Sequence, residues 1–248
     1  MEMEVKIKEF LESEGATEAM IWDASEIQEV PSTLEPELRR DVPGMELAIV
    51  YGDPIALGDI LDIQQGHDNI YGANGTCGET SIANICTIAG MKVTEPEVVA
   101  YAMENNLCQK GVDDPIWNGG ATTISQQIAI LKHFNLDAHC EIPSETADPE
   151  RLAELIEGGY GILLCINYDY MYGRTPMEGT EDTARHAICL TGTVRHLDGT
   201  LAGFYVCDSD SWYQNEDAGR VFVPLERMNA CYTNISEANA VITDKPIR

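Results

Sequence analysis

Cys77 stands in the string Asn74-Gly75-Thr76-Cys77-Gly78-Glu79-Thr80-Ser81, which is polar and punctuated by glycine. The other cysteines (Cys86, Cys108, Cys140, Cys165, Cys189, Cys207, Cys231) fall mostly in apolar strings such as Leu163-Leu164-Cys165 and read as reduced structural thiols. Thr76 followed three residues later by Glu79 predicts a capping box, which makes Thr76 the N-cap and places Cys77 on the first helical turn. The unpaired N–H groups and positive dipole end of such a turn favour thiolate over thiol, and the thiolate is the nucleophile. Those N–H groups can also hold the oxyanion that forms when a carbonyl is attacked. Gly75 and Gly78 keep side chains out of the carbonyl's approach.

A thiolate of this kind needs a proton partner, and His67, His133, His139, His186 and His196 compete for the role. His186 opens the apolar run Ala187-Ile188-Cys189-Leu190, so a rigid strand can aim its imidazole at a neighbouring helix N-terminus. His133 lies on a predicted helix and His196 beside the Asp198-Gly199 turn, both surface settings. His67 remains a lesser candidate, close to the nucleophile in sequence. The next run, Gly203-Phe204-Tyr205-Val206-Cys207, ends in Asp208-Ser209-Asp210, and a carboxylate on a hairpin neighbour can fix the imidazole's tautomer and direction. Asp208 and Asp210 share a face by strand alternation; Asp208, at the strand edge, is preferred.

These three groups lie far apart in the chain, so the elements between them must bring them together. Ile82, Ile85, Cys86 and Ala89 repeat at helical spacing and Gly90 stops the helix. Thr94-Glu95-Pro96-Glu97 and Thr123-Ile124-Ser125-Gln126 are capping boxes that start two more helices, and Asp148-Pro149 starts a fourth that ends at Gly158-Gly159. Leu136 to Ile142, Ile162 to Tyr168, His186 to Val194, Phe204 to Asp208 and Val221 to Val223 read as strands. The result is an α+β fold in which an N-terminal helical part carrying the cysteine helix packs on a C-terminal antiparallel sheet. Residues 1–60, with a strand at Leu47 to Tyr51 and a connector from Pro31 to Pro43, read as an accessory region, and 61–248 as the catalytic domain.

The 248 residues are 44% hydrophobic, enough for one substantial core. The formal net charge is −27. That field repels phosphate backbones, which argues against nucleic acid as a partner. It also favours cationic partners, so a basic peptide or protein substrate is one option beside a simply solvated acidic surface. No apolar run approaches the roughly 20 residues of a membrane span. The start, MEMEVKIKEF, lacks the form of a cleavable signal peptide, so the expected location is the cytoplasm or a target cell reached by another route. No Cys and His spacing suggests a metal site, and neither metal nor organic cofactor is expected.

The string Gly75-Thr76-Cys77-Gly78-Glu79-Thr80-Ser81-Ile82-Ala83-Asn84, with Arg185-His186-Ala187-Ile188 and Val206-Cys207-Asp208, resembles the double-glycine leader peptidases of bacteriocin exporters, papain-like cysteine peptidases. It is also similar to papain-like domains of bacterial polymorphic toxins. The resemblance covers about residues 60–225. It implies a papain-like fold, a Cys77-His186-Asp208 triad, peptide-bond hydrolysis through a thioester, and membership of a larger exporter or toxin system. That family places a glutamine about six residues before the cysteine as an oxyanion donor, where this chain has Tyr71. Gln65 is the preferred substitute, with Gln64 and Asn74 as alternatives. The same triad also serves glutamine deamidases and transglutaminases, and some peptidase-like domains only bind leader peptides. Gly119-Gly120 and Gly158-Gly159 read as a loop and a helix stop before they read as self-cleavage sites.

Overall fold

The computed structural model describes residues 34–52, 64–66, 69–111, 118–142, 148–210 and 219–248. The helices are α1 (Cys77–Ile88), α2 (Glu95–Glu104), α3 (Ile124–His133), α4 (Pro149–Glu157), and the single turns α5 (Tyr168–Met171) and α6 (Leu225–Met228), the last running into a π-turn at Asn229–Thr233. The strands are β1 (Glu37–Arg39), β2 (Ala48–Tyr51), β3 (Ala138–Glu141), β4 (Ile162–Ile166), β5 (His186–Arg195), β6 (Leu201–Asp208), β7 (Gly219–Pro224) and β8 (Asn239–Thr243). All eight join one antiparallel sheet.

Local chemistry explains most helix ends. Thr123 N–H donates to Gln126 Oε1 at 2.8 Å, and Gln126 N–H returns to Thr123 Oγ1 at 3.4 Å. Thr94 and Glu97 cap α2, and Asp148 accepts from the Glu150 N–H at 3.0 Å to start α4. Two asparagines in the left-handed region, Asn106 and Asn135, end α2 and α3. Each sits just past the helix, and the residue after it donates back to close the final turn, Leu107 to Ala102 and Leu136 to Leu131.

Strand β5 is the organiser. Along one edge β4 pairs with His186 to Leu190 and β2 with Thr193 to Arg195, while β6 takes the other edge. A bulge at Thr191 separates these registers. The adjoining Gly192 lies so close to β2 that a Cβ there would sit 2.7 Å from the Tyr51 carbonyl oxygen. β8 lies between β4 and β3 in the sheet, an insertion that the short run Ala240-Val241-Ile242 did not signal.

Both faces of the sheet are covered. Leu163, Ala187, Cys189, Cys207 and Val241 face the core formed with α1, α2 and α3. Ile162, Leu164, Ile166, Ile188, Leu190, Phe204 and Val206 face a second core formed with α4, α5, α6 and the π-turn. The fold is the mixed helix and antiparallel sheet expected from sequence; the sheet also takes in strands from residues 37–51, and the region expected to be a connector contains β1. The boundary expected at residue 60 falls outside the described residues. No helix among the described residues is long and apolar enough to cross a membrane.

Candidate active site

The N-terminus of α1 packs against the start of β5, which brings Cys77 and His186 together across 109 positions of chain. The Cys77 sulfur hydrogen-bonds the His186 imidazole and meets the backbone N–H groups of Ala187 and Gly78. His186, buried at 5% exposure, directs Nε2 to Asp208 Oδ1 at 2.7 Å, so Nδ1 is the nitrogen left to face the thiol. Asp208, fully buried at the end of β6, accepts further from the Asp210 N–H at 3.0 Å and from the Tyr172 hydroxyl. Asp210 accepts instead from the Tyr168 hydroxyl at 2.7 Å. That separates two aspartates that strand alternation alone leaves equivalent.

The charges settle accordingly. Burial pushes the Cys77 thiol up, but the hydrogen bond and charge of His186, with the two backbone N–H groups, outweigh it and leave the thiol below its ordinary value. Burial pulls His186 down, and the Asp208 carboxylate followed by Cys77 reverses that, holding the imidazole well above its usual range. Asp208 is lowered despite its burial, through His186 first and then Tyr172. Both shifts act in favour of a thiolate and imidazolium pair. Five other cysteines, 86, 108, 165, 189 and 231, are pushed up to about 12, with burial as the main cause. All eight cysteines are free thiols.

Around Cys77 the sequence expectation needs one correction, because Thr76 and Glu79 form no capping box. The Thr76 hydroxyl donates to Glu95 Oε1 at 2.6 Å and accepts from the Gly66 N–H at 2.7 Å, which ties the start of α1 to the start of α2. Glu79 turns inward beside Cys108 and is fully buried. Burial first, then the Cys77 and Glu95 charges, hold its carboxyl well above the usual range. The cysteine helix starts where expected, held by tertiary contacts rather than a local cap.

A cleft of about 680 Å³ opens over Cys77 and His186. Gln64, Gln65 and Asn74 all line it. Gln65 is docked on the end of β6: its N–H donates to the Ser209 carbonyl at 3.2 Å and its Oε1 accepts from the Ser209 hydroxyl at 2.8 Å. With the oxygen fixed, the Gln65 NH₂ turns toward Asn74, whose carbonyl it meets at 3.3 Å. The Asn74 side-chain oxygen is taken by the Asn118 N–H at 2.8 Å. His133 stacks on Tyr101, His139 pairs with Asp244 and Glu141, and His196 lies in the β5 to β6 turn. None of these three meets Cys77, and His67 lies outside the described residues. Among the described residues no group of three His, Cys, Asp or Glu side chains gathers as a metal ligand set.

Four cleft or triad neighbours escaped the sequence reading. Tyr168 places its ring edge-on to His186 with centroids 5.4 Å apart, and Tyr172 reaches Asp208; both come from the turn α5 and its cap. Gln127 and Cys165 line the cleft from α3 and β4. The available signal was Asn167, whose side chain caps α5 by accepting from the Tyr170 N–H at 3.1 Å. A Tyr172→Phe variant removes a donor to a buried carboxylate and is expected to cost about 1–3 kcal/mol. The folded pKa of Asp208 is depressed, so its stabilisation is present above the unfolded value and lost as pH falls through the folded one. The variant should therefore unfold at a higher pH than the parent in an acid titration followed by fluorescence.

No family model matches this chain, and no curated protein is similar to it in sequence. Among solved structures, it is similar to a double glycine motif protease from an AMS/PCAT transporter, determined in complex with the leader peptide. The identity is 14% and the TM-score 0.38, over 68% of this chain and 84% of that one. The functional reading rests on the geometry of the site itself.

Proposed function

We propose that the protein is a thiol hydrolase that cleaves a peptide bond through Cys77, His186 and Asp208. The observation that carries this reading is His186, whose two ring nitrogens are divided between a depressed thiol and a buried carboxylate. That division is what nucleophilic acyl transfer requires, and a purely structural histidine has no need of it.

In the proposed cycle the Cys77 thiolate adds to the substrate carbonyl carbon, and the carbonyl electron pair moves to oxygen. The developing oxyanion is met by backbone N–H at the start of α1 and by the Gln65 NH₂, whose direction Ser209 fixes. Gln65 is the preferred donor, and Asn74, whose side-chain oxygen is fixed in the same way by the Asn118 N–H, is the alternative. Imidazolium Nδ1–H then protonates the leaving amine as the C–N bond breaks, which leaves a thioester on Cys77. Neutral His186 next takes a proton from water, whose oxygen attacks the thioester, and returns it to the departing sulfur. Asp208 holds the ring direction throughout. We assign this chemistry to residues 61–248 and a peptide or protein as substrate.

The reading is tested by incubating the protein with a peptide library and sequencing new N-termini by mass spectrometry. Cleavage by the parent and none by Cys77→Ala is expected. Ammonia release without new N-termini would replace peptidolysis by side-chain amide hydrolysis on the same triad.

A further inference from the structure

Gln127 is a buried amide whose oxygen lacks a strong donor. The residue is 2% exposed yet lines the cleft. Its Nε2 donates to Thr122 Oγ1 at 3.2 Å. Its Oε1 has only the Cys165 thiol, at 3.9 Å, and the sulfur lies 3.8 Å from Nε2. A thiol is a weak donor, and a buried amide oxygen left with so little is unusual in a folded protein.

This polar floor adjoins the nucleophile. A Cβ on Gly78, the residue after Cys77, would come within 2.2 Å of Thr122 Oγ1 and 3.2 Å of Gln127 Nε2. Cys165 faces Ala187 in the β4 to β5 ladder, and the Ala187 N–H touches the Cys77 sulfur. A substrate whose carbonyl reaches Cys77 therefore brings a neighbouring side chain to Gln127.

We propose that Gln127, with Thr122 and Cys165, forms the floor of a substrate subsite for an uncharged side chain carrying a hydrogen-bond donor, namely serine, threonine, asparagine or glutamine. The proposal rests on the peptidase reading above and names the residue class it selects. The donor satisfies the amide oxygen that the empty floor leaves to a thiol. Charge is disfavoured there. Asp210, the one carboxylate among the described residues lining the cleft, is engaged by Tyr168, so an ammonium brought to the floor loses its water and finds no carboxylate there to replace it. An acidic side chain would face the Gln127 oxygen and the Cys77 thiolate. An apolar one leaves the oxygen unpaired.

The test uses peptidyl chloromethyl ketones, which alkylate a nucleophilic thiol, with threonine or its isostere valine at each of the two positions next to the reactive group. Intact mass reads the rate at Cys77, and iodoacetamide serves as a probe that ignores the subsite. At one position threonine should react about tenfold faster than valine, one net hydrogen bond's worth. In Gln127→Leu and Gln127→Met that ratio should fall to about one while the iodoacetamide rate is unchanged. Equal rates for threonine and valine in the parent overturn the subsite even if neither variant folds, as does a ratio that survives both substitutions. In either case iodoacetamide reaction at Cys77 leaves the peptidase reading standing. Absence of that reaction overturns both.

Discussion

His186→Ala is expected to slow alkylation of Cys77 by iodoacetamide at pH 6.5 on the order of tenfold or more, because removing the imidazole leaves burial to raise a thiol whose ordinary pKa is already near about 8.5. The parent sulfur carries the imidazole and two backbone N–H groups, which together overcome its burial. The pH profile gives the sign. The reactive thiolate appears as pH rises through the depressed Cys77 value, and the proton donor persists until pH passes the raised His186 value. Peptide turnover should be bell-shaped between those limits, with alkylation flat once the thiolate has formed. For stability, the raised pKa of His186 contributes fully below about pH 6.5, its unfolded value, and is lost as pH rises through the folded one. Asp208→Asn keeps a hydrogen-bond partner but removes the charge, so the descending limb should move to lower pH. A His186→Ala protein with the parent's alkylation rate at pH 6.5 would mean that the thiol and the imidazole are not coupled.

Arg195→Ala is expected to cost about 3–5 kcal/mol, the usual penalty for leaving a buried charge without its partner. At the far end of β5 from the site, Arg195 is 3% exposed and Glu157, the last residue of α4, is fully buried. Arg195 Nε donates to Glu157 Oε1 at 2.6 Å, and its two terminal nitrogens reach Glu150 at 2.9 and 3.3 Å. The Thr193 hydroxyl also donates to Glu157 at 2.8 Å. Both ends of α4 are thereby held to β5. Burial lifts the Glu157 carboxyl above its ordinary value even with Arg195 in contact, so the pair itself is held against a desolvation cost. Glu157→Gln should accordingly cost less than Arg195→Ala, since it retains an acceptor and removes the charge that burial penalises. Arg195→Lys keeps the charge without the fork and should fall between. For a chain of this size, 3–5 kcal/mol corresponds to a melting temperature lower by about 6–20 °C. Calorimetry ranks the three variants, and equal melting temperatures for Arg195→Ala and the parent would refute the staple.

Sequence carried the local decisions. The caps of α2, α3 and α4 are written in Thr94 to Glu97, Thr123 to Gln126 and Asp148-Pro149, because an N-cap is satisfied by side chains one turn away. The run from His186 to Val194 had to be a strand, since no polar residue between 187 and 190 offers it a solvated helical face. The polar, glycine-flanked setting of Cys77 set it apart from seven others. What pattern could not supply depends on partners distant in the chain. β1, three residues long, is too short to be recognised by periodicity, and β8 was not read from its short apolar run; β1 is paired by β2, and β8 by β4 and β3. The same reasoning explains Thr76 and Glu79, whose local pairing was outcompeted by Glu95 and by burial. It was the register of β5 against β6, and the packing of α1 on β5, that put Cys77, His186 and Asp208 in contact and sent Asp210 to Tyr168. Side-chain type sets what a group can do when paired, but the choice of partner is made by packing, where one hydrogen bond inside a low-dielectric interior outweighs the preferences of a local motif.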